Sequence, residues 1–175
     1  MTLPTYAAIS DDWFYLRLPR GVSLAEHEAE PGHDDRSATA RVLRLFREHL
    51  NDTTAAFGLF DLPLTPAGLR QLDPHLTPAF FASLLERSNP EDPNNLFKLT
   101  ISELAVYLGD IAADQFGGVW RLARMPNYHE SVVFCENYEY SVWDAAMRRA
   151  SSDQSDRTLV ANYETFAQAV LARRQ

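Results

Sequence analysis

Thr100-Ile-Ser-Glu-Leu-Ala-Val-Tyr-Leu-Gly-Asp-Ile-Ala-Ala-Asp-Gln-Phe-Gly-Gly118 is the stretch on which the fold turns. Its first four residues have the form of a capping box, in which the threonine hydroxyl and the Glu103 carboxylate each accept an N–H left free by the first turn of a helix. Ile101, Leu104, Ala105, Leu108, Ile111, Ala112 and Phe116 recur at helical spacing and predict one apolar stripe. Gly117-Gly118 closes the helix, because a left-handed residue there accepts no strain when it has no Cβ. Beyond the glycines the period shortens. Val119–Met125 and Glu130–Glu136 read as strands separated by Pro126-Asn-Tyr-His129, with a third run at Tyr138–Val142. The predicted class is α+β and mostly helical, with five or more helices and a small antiparallel β-hairpin or three-stranded meander at about 119–142.

The remaining helices follow from their start signals. Ser23-Leu-Ala-Glu26 is a second capping box, opening a short helix that Pro31-Gly32 stops. Asp34 and Asp35 can cap the next, along which Ala38, Val42, Leu45, Phe46 and Leu50 repeat. Thr65-Pro66 and Thr77-Pro78 each put threonine at the cap and proline at the first helical position, where its missing N–H costs nothing, predicting helices at 66–73 and 78–87. Ser141-Val-Trp-Asp144 starts a helix to Ala150, and Asp156 is read as the cap of a C-terminal helix through Leu171. The proline- and asparagine-rich run from Ser88 to Asn95 is loop composition, so 88–99 is the candidate internal boundary of what is otherwise a single domain over 1–175.

Composition excludes several classes of function. The net charge is −8, with carboxylates in excess only across residues 1–118, and no Lys/Arg run exists to neutralise a phosphate backbone, so nucleic-acid binding is disfavoured. Lys98 is the only lysine. Cys135 is the only cysteine, which rules out an intrachain disulfide and a multi-cysteine zinc site. No signal-peptide pattern opens the chain and no segment approaches membrane-spanning length, so a cytoplasmic protein without membrane association is expected.

Chemistry-bearing residues are densest between His27 and Asp35. His27, His33, Asp34 and Asp35 together offer nitrogen and oxygen ligands, and they carry the alternative of a small metal-dependent hydrolase. The two histidines lie six apart across Pro-Gly, whereas one helical turn aims a pair at a metal only when they are four apart. The plain reading is a solvated turn whose aspartates cap a helix. No nucleophile elbow is present, and Cys135, in Val-Val-Phe-Cys-Glu, reads as an inward strand residue whose neighbour Glu136 raises its thiol pKa. No catalytic residue and no cofactor is assigned.

A second candidate is the polar side of the 101–116 helix. Glu103, Asp110 and Asp114 are spaced seven and four apart and share a face with Tyr107, an arrangement suited to a basic protein partner, since carboxylates hasten encounter and tyrosine supplies contact area. The plain reading is a solvated helix face. Aromatic residues also concentrate in the sheet region, namely Trp120, Tyr128, Tyr138, Tyr140 and Trp143. Those left uncovered are candidates for a homodimer contact in a structural or assembly role.

Glu103-Leu-Ala-Val-Tyr-Leu-Gly109, followed by Phe116-Gly-Gly-Val-Trp120 and a hairpin, resembles small uncharacterised bacterial α+β proteins, some of them of the toxin-immunity type. The resemblance spans about residues 101–143. It implies a cytoplasmic bacterial protein that acts by protein–protein binding, immunity- or inhibitor-like, toward a basic partner. It transfers no functional residue.

Overall fold

Helix α5, Leu96–Phe116, is enclosed by the rest of the chain, and every residue from Thr100 to Gly109 is buried. A helix with apolar residues on all sides belongs at the centre of a fold, not at its edge. The computed structural model describes residues 2–13, 35–89, 92, 95–124 and 127–174, with only the backbone of 12, 13 and 35–38. Seven α-helices and one sheet make up these residues. They are α1 (Tyr6–Trp13), α2 (Asp35–Ala55), α3 (Pro66–Leu72), α4 (Pro78–Arg87), α5, then strands β1 (Val119–Arg121), β2 (Val132–Cys135) and β3 (Tyr138–Tyr140), and finally α6 (Val142–Ala150) and α7 (Leu159–Arg173). The architecture is α+β and mostly helical. No helix among the described residues is long and apolar enough to cross a membrane.

The sheet is antiparallel in the order β1-β2-β3, with Trp120 opposite Val133 and Val133 opposite Tyr140. Opposed residues share a face, so Trp120, Val133, Cys135, Tyr138 and Tyr140 point inward together. Glu136 and Asn137 join β2 to β3 with φ of 47° and 63°, the pair of left-handed residues that a two-residue hairpin requires. Tyr140 stacks on Phe166 of α7 at 4.2 Å between ring centroids, and Tyr138 meets the same ring at 5.7 Å. Trp120 lies against Gly109, where an added Cβ would come within 2.3 Å of the indole. The sheet aromatics considered for a homodimer contact are thus largely consumed by the core. The outer face carries Phe134, with the Arg121 guanidinium 3.5 Å above its ring.

Caps fix the helix ends, and two of them differ from expectation. Thr65 and Thr77 accept from the Gly68 and Phe80 amides, with Pro66 and Pro78 at the first helical positions as predicted. Helix α5, however, begins one turn before the supposed capping box. Asn95 is its cap, accepting from Lys98 N at 3.0 Å, so Thr100 and Glu103 are interior residues. The helix extends backward because Phe97, 4% exposed, continues its buried side, with Leu99 half-buried beside it. The cap of α7 is Thr158, not Asp156. The expected short helix at 23–30 and the Asp34 cap lie outside the described residues, and α2 is described from Asp35.

One buried polar cluster ties the two halves together. Asp73, in the single turn of 3-10 helix after α3, accepts from the Leu159 amide at 3.2 Å and the Val160 amide at 3.1 Å, so it caps α7 from a distance in sequence of more than eighty residues. Arg149 of α6 donates to the same carboxylate at 3.3 Å, and both side chains are largely shielded from solvent. A charge pair out of water is costly to break, because the surviving partner is left buried and uncompensated. Asp73→Ala is therefore expected to lower the unfolding free energy by about 3–5 kcal/mol in urea titrations followed by circular dichroism. Adding Arg149→Met should restore part of the loss, and a single-variant effect below about 1 kcal/mol would contradict the assigned role.

Candidate ligand-binding cleft

A cleft of about 770 Å³ opens between α2, α4 and α5, within the size range of small-molecule sites. Its walls are Val42, Leu45 and Phe46 from α2, Phe80 and Leu84 from α4, and Leu96 and Leu99 from α5, with Tyr128 contributing from the turn before β2. The helix spacings that build the core also build these walls. Each of the three helices contributes apolar residues to the lining, and space remains between the facing sets. Leu45 and Leu96 remain more than a third exposed as a result.

Polar groups lie on two sides of the cleft. His49, Asp52 and Thr53 come from the last turns of α2, and Thr100 and Glu103 come from α5, while Arg87, Asn89 and Asp92 line the side toward the loop. Glu103 is only 6% exposed. Burial pushes its carboxyl up from the ordinary 4.5 to about 7, and the nearby Asp52 charge pushes the same way. The Thr53 hydroxyl, which donates to Oε2 at 2.5 Å, and His49 pull it back. A carboxyl titrating near neutrality inside an apolar cleft can hold or release a proton at physiological pH, and it can pair with a buried cation. Thr100, one turn before it on the same face, is 1% exposed and its hydroxyl has no hydrogen-bond partner.

The four residues of the supposed acidic face are not an open surface. Glu103 and Tyr107 are buried. The Tyr107 hydroxyl donates to Pro63 O at 2.7 Å, beside Gly68, where an added Cβ would lie 2.4 Å from the phenol oxygen. Asp110 receives the Trp120 indole N–H at 2.9 Å and a two-pronged contact from Arg47, whose Nη2 lies 2.7 Å from Oδ1. Only Asp114 is exposed. The physical reason is that α2, the sheet and the 57–65 loop all pack on the side of α5 that the spacing had assigned to solvent.

Of the metal candidate, His27, His33 and Asp34 fall outside the described residues, and Asp35 is placed by its backbone alone. Among the described residues, no group of three or more His, Cys, Asp or Glu stands close enough together to hold a metal ion. Cys135 is a buried strand residue, as expected. Burial raises its thiol pKa above the ordinary value, with Glu136 adding to the shift and Arg174 opposing it. His129 is pushed down to about 4 by burial, and His75 stacks on Phe57 at 5.0 Å.

Spacing placed Phe46 on a helical stripe and Thr100 in a capping pattern, but it marked neither these two nor Thr53 and Leu84 as lining a cleft. One signal was present. The helical neighbours of Glu103 at three and four positions either side are Leu99, Thr100, Val106 and Tyr107, none of them charged, which marks a carboxylate on an apolar surface. No protein-family model matches the chain, and neither a curated protein nor a solved structure matches it.

The raised carboxyl gives a stability signature. A folded-state pKa above the unfolded one means that the native protein binds more protons between about 4.5 and 7, so stability falls as pH rises through that window and is level above it. The loss is on the order of 3 kcal/mol at 1.36 kcal/mol per pKa unit. Glu103→Gln cannot ionise. Relative to that variant, the parent is expected to lose about 3 kcal/mol in denaturant titrations between pH 4.5 and pH 7.5, and a constant difference across the range would show that the carboxyl titrates normally.

Proposed function

We propose that the protein binds a small, largely apolar molecule in the cleft between α2, α4 and α5, and that binding rather than covalent chemistry is its role. The observation that carries this reading is the cleft itself, a space of about 770 Å³ in which apolar side chains from three helices face polar ones on two sides, a size and concavity suited to a small-molecule site. The side chains that orient a ligand stand on helices rather than on loops, which holds them in place before binding and reduces the entropy lost on association. A basic protein partner, the reading favoured by the sequence, keeps its support from the net charge of −8 but has no open contact surface at Glu103, Tyr107 and Asp110. Such a contact would need another anchor. Phe60, 75% exposed beside the left-handed Asp61, is the most exposed large apolar side chain among the described residues, and a partner lost on Phe60→Ala with ligand binding intact would favour that second reading.

Ala56 is exposed on the cleft lining, where a larger side chain adds bulk without disturbing the core. A neutral solvatochromic dye such as Nile red is expected to bind the parent at one-to-one stoichiometry with a blue-shifted emission. Ala56→Trp should weaken that binding by about tenfold or more while the melting temperature stays within a few degrees. Dye affinity that ignores the tryptophan would place the binding elsewhere and remove the cleft from consideration.

A further inference from the structure

We infer that the ligand of this cleft carries a primary ammonium group, which seats between the Glu103 carboxylate and the Thr100 hydroxyl while its apolar body lies against Phe46, Phe80 and Leu84. The inference rests on the cleft being a small-molecule site and names the chemistry of the polar end.

Thr100 and Glu103 are one turn apart, and both line the cleft. Thr53 occupies Oε2 of Glu103, and among the described residues Oε1 has no protein donor. Thr100 presents a buried hydroxyl without a partner, although a helical threonine ordinarily satisfies itself on the carbonyl four residues back. A buried polar group left unmade is unfavourable, and the two groups together are short of a donor. Ionised glutamate only accepts, and the threonine oxygen can accept as well. An ammonium has three donors and no acceptor, so it can serve both oxygens at once.

The surrounding charges point to the same head group. Asp52 of α2 lines the cleft along with Glu103, its carboxylate 3.7 Å from His49 Nδ1, and Arg87 of α4 stands on the loop side; the Tyr128 ring forms part of the wall. Arg87 is engaged with its own helix, where Nε donates to Ser83 O at 3.2 Å. A ligand carboxylate would add a negative charge to this set, whereas a cation offsets it, and the overall charge of −8 draws cations toward the protein. The rings of Phe46, Phe80 and Tyr128 line the same cleft, and aromatic rings attract a desolvated cation that comes over their faces. Because Glu103 titrates near 7, an arriving ammonium displaces a proton from it at lower pH, and affinity is linked to pH.

The test is isothermal titration at pH 7.5 with four ligands sharing one chain: octylamine, octanol, octanoate and octyltrimethylammonium. Octylamine is expected to bind about tenfold or more tighter than octanol and octanoate, and tighter than the quaternary salt, which has no N–H to donate. Glu103→Gln should erase the advantage of the amine while leaving octanol affinity as it was. Thr100→Val should weaken octylamine several-fold and leave octyltrimethylammonium unchanged. Between pH 6.5 and pH 5 the octylamine affinity of the parent should fall about tenfold per unit, and that of Glu103→Gln should not. Equal binding of all four ligands, or preference for octanoate or the quaternary salt, would overturn the ammonium while keeping the apolar cleft. Failure of every chain and of Nile red alike would overturn the cleft reading itself.

Discussion

The enclosure of α5 is the constraint from which the other features follow. A helix of 21 residues with an unbroken buried segment from Thr100 to Gly109 can exist only if other elements meet it on every side. Helix α2 covers one side, α6 and the sheet others, and α4 and α7 close what remains. Close approach is bought with small residues at the contacts: Gly109 admits the Trp120 indole, and Gly68 lets α3 and the Pro63 carbonyl reach the Tyr107 hydroxyl. Each polar residue on such a helix must then find a partner within the protein or remain unsatisfied. Asp110 and Tyr107 find partners, Glu103 finds one for a single oxygen, and Thr100 finds none.

That gradation separates structural polar groups from candidate functional ones. The Asp73–Arg149 pair is buried, but its hydrogen bonds go to the α7 amides and to the chain near Ser155, so its chemistry is spent on joining α3, α6 and α7. Asp110 is spent in the same way on Arg47 and Trp120. Glu103 and Thr100 differ because the wall they belong to faces open space, and because α2, α4 and α5 leave that space unfilled. A carboxyl held there away from its ordinary ionisation is unfavourable for folding near and above neutral pH, and the fold tolerates it where a bound group could use it.

Residues around α5 also explain which expectations survive. Thr65-Pro66 and Thr77-Pro78 start helices as read, because a cap hydroxyl and a proline act within one turn and need nothing from afar. The glycine pair ends α5 as read, with Gly117 at a φ of 63°. Thr100-Ile-Ser-Glu103 fails as a helix start although its pattern fits, since Asn95 and the apolar residues after it continue the same buried helix one turn earlier. Asp156 yields to Thr158 for the same reason of a nearer competitor, and Asp73 reinforces that end from the other side of the chain.

Local chemistry thus determined the class of the fold, the helices from α2 onward, the strand order, the inward Cys135 and the glycine turn between α5 and the sheet, because each depends on side chains a few positions apart, while α1 (Tyr6–Trp13) is not among the helices that spacing and caps predict. Periodicity also placed Glu103, Tyr107, Asp110 and Asp114 on one face. It could not say what that face meets, since a helical spacing fixes direction relative to the axis and not the neighbours. Tertiary structure decided that. Packing of α2, the 57–65 loop and the sheet over α5 turned the supposed solvent face inward, and α2, α4 and α5 leave between them the cleft that the buried carboxyl lines.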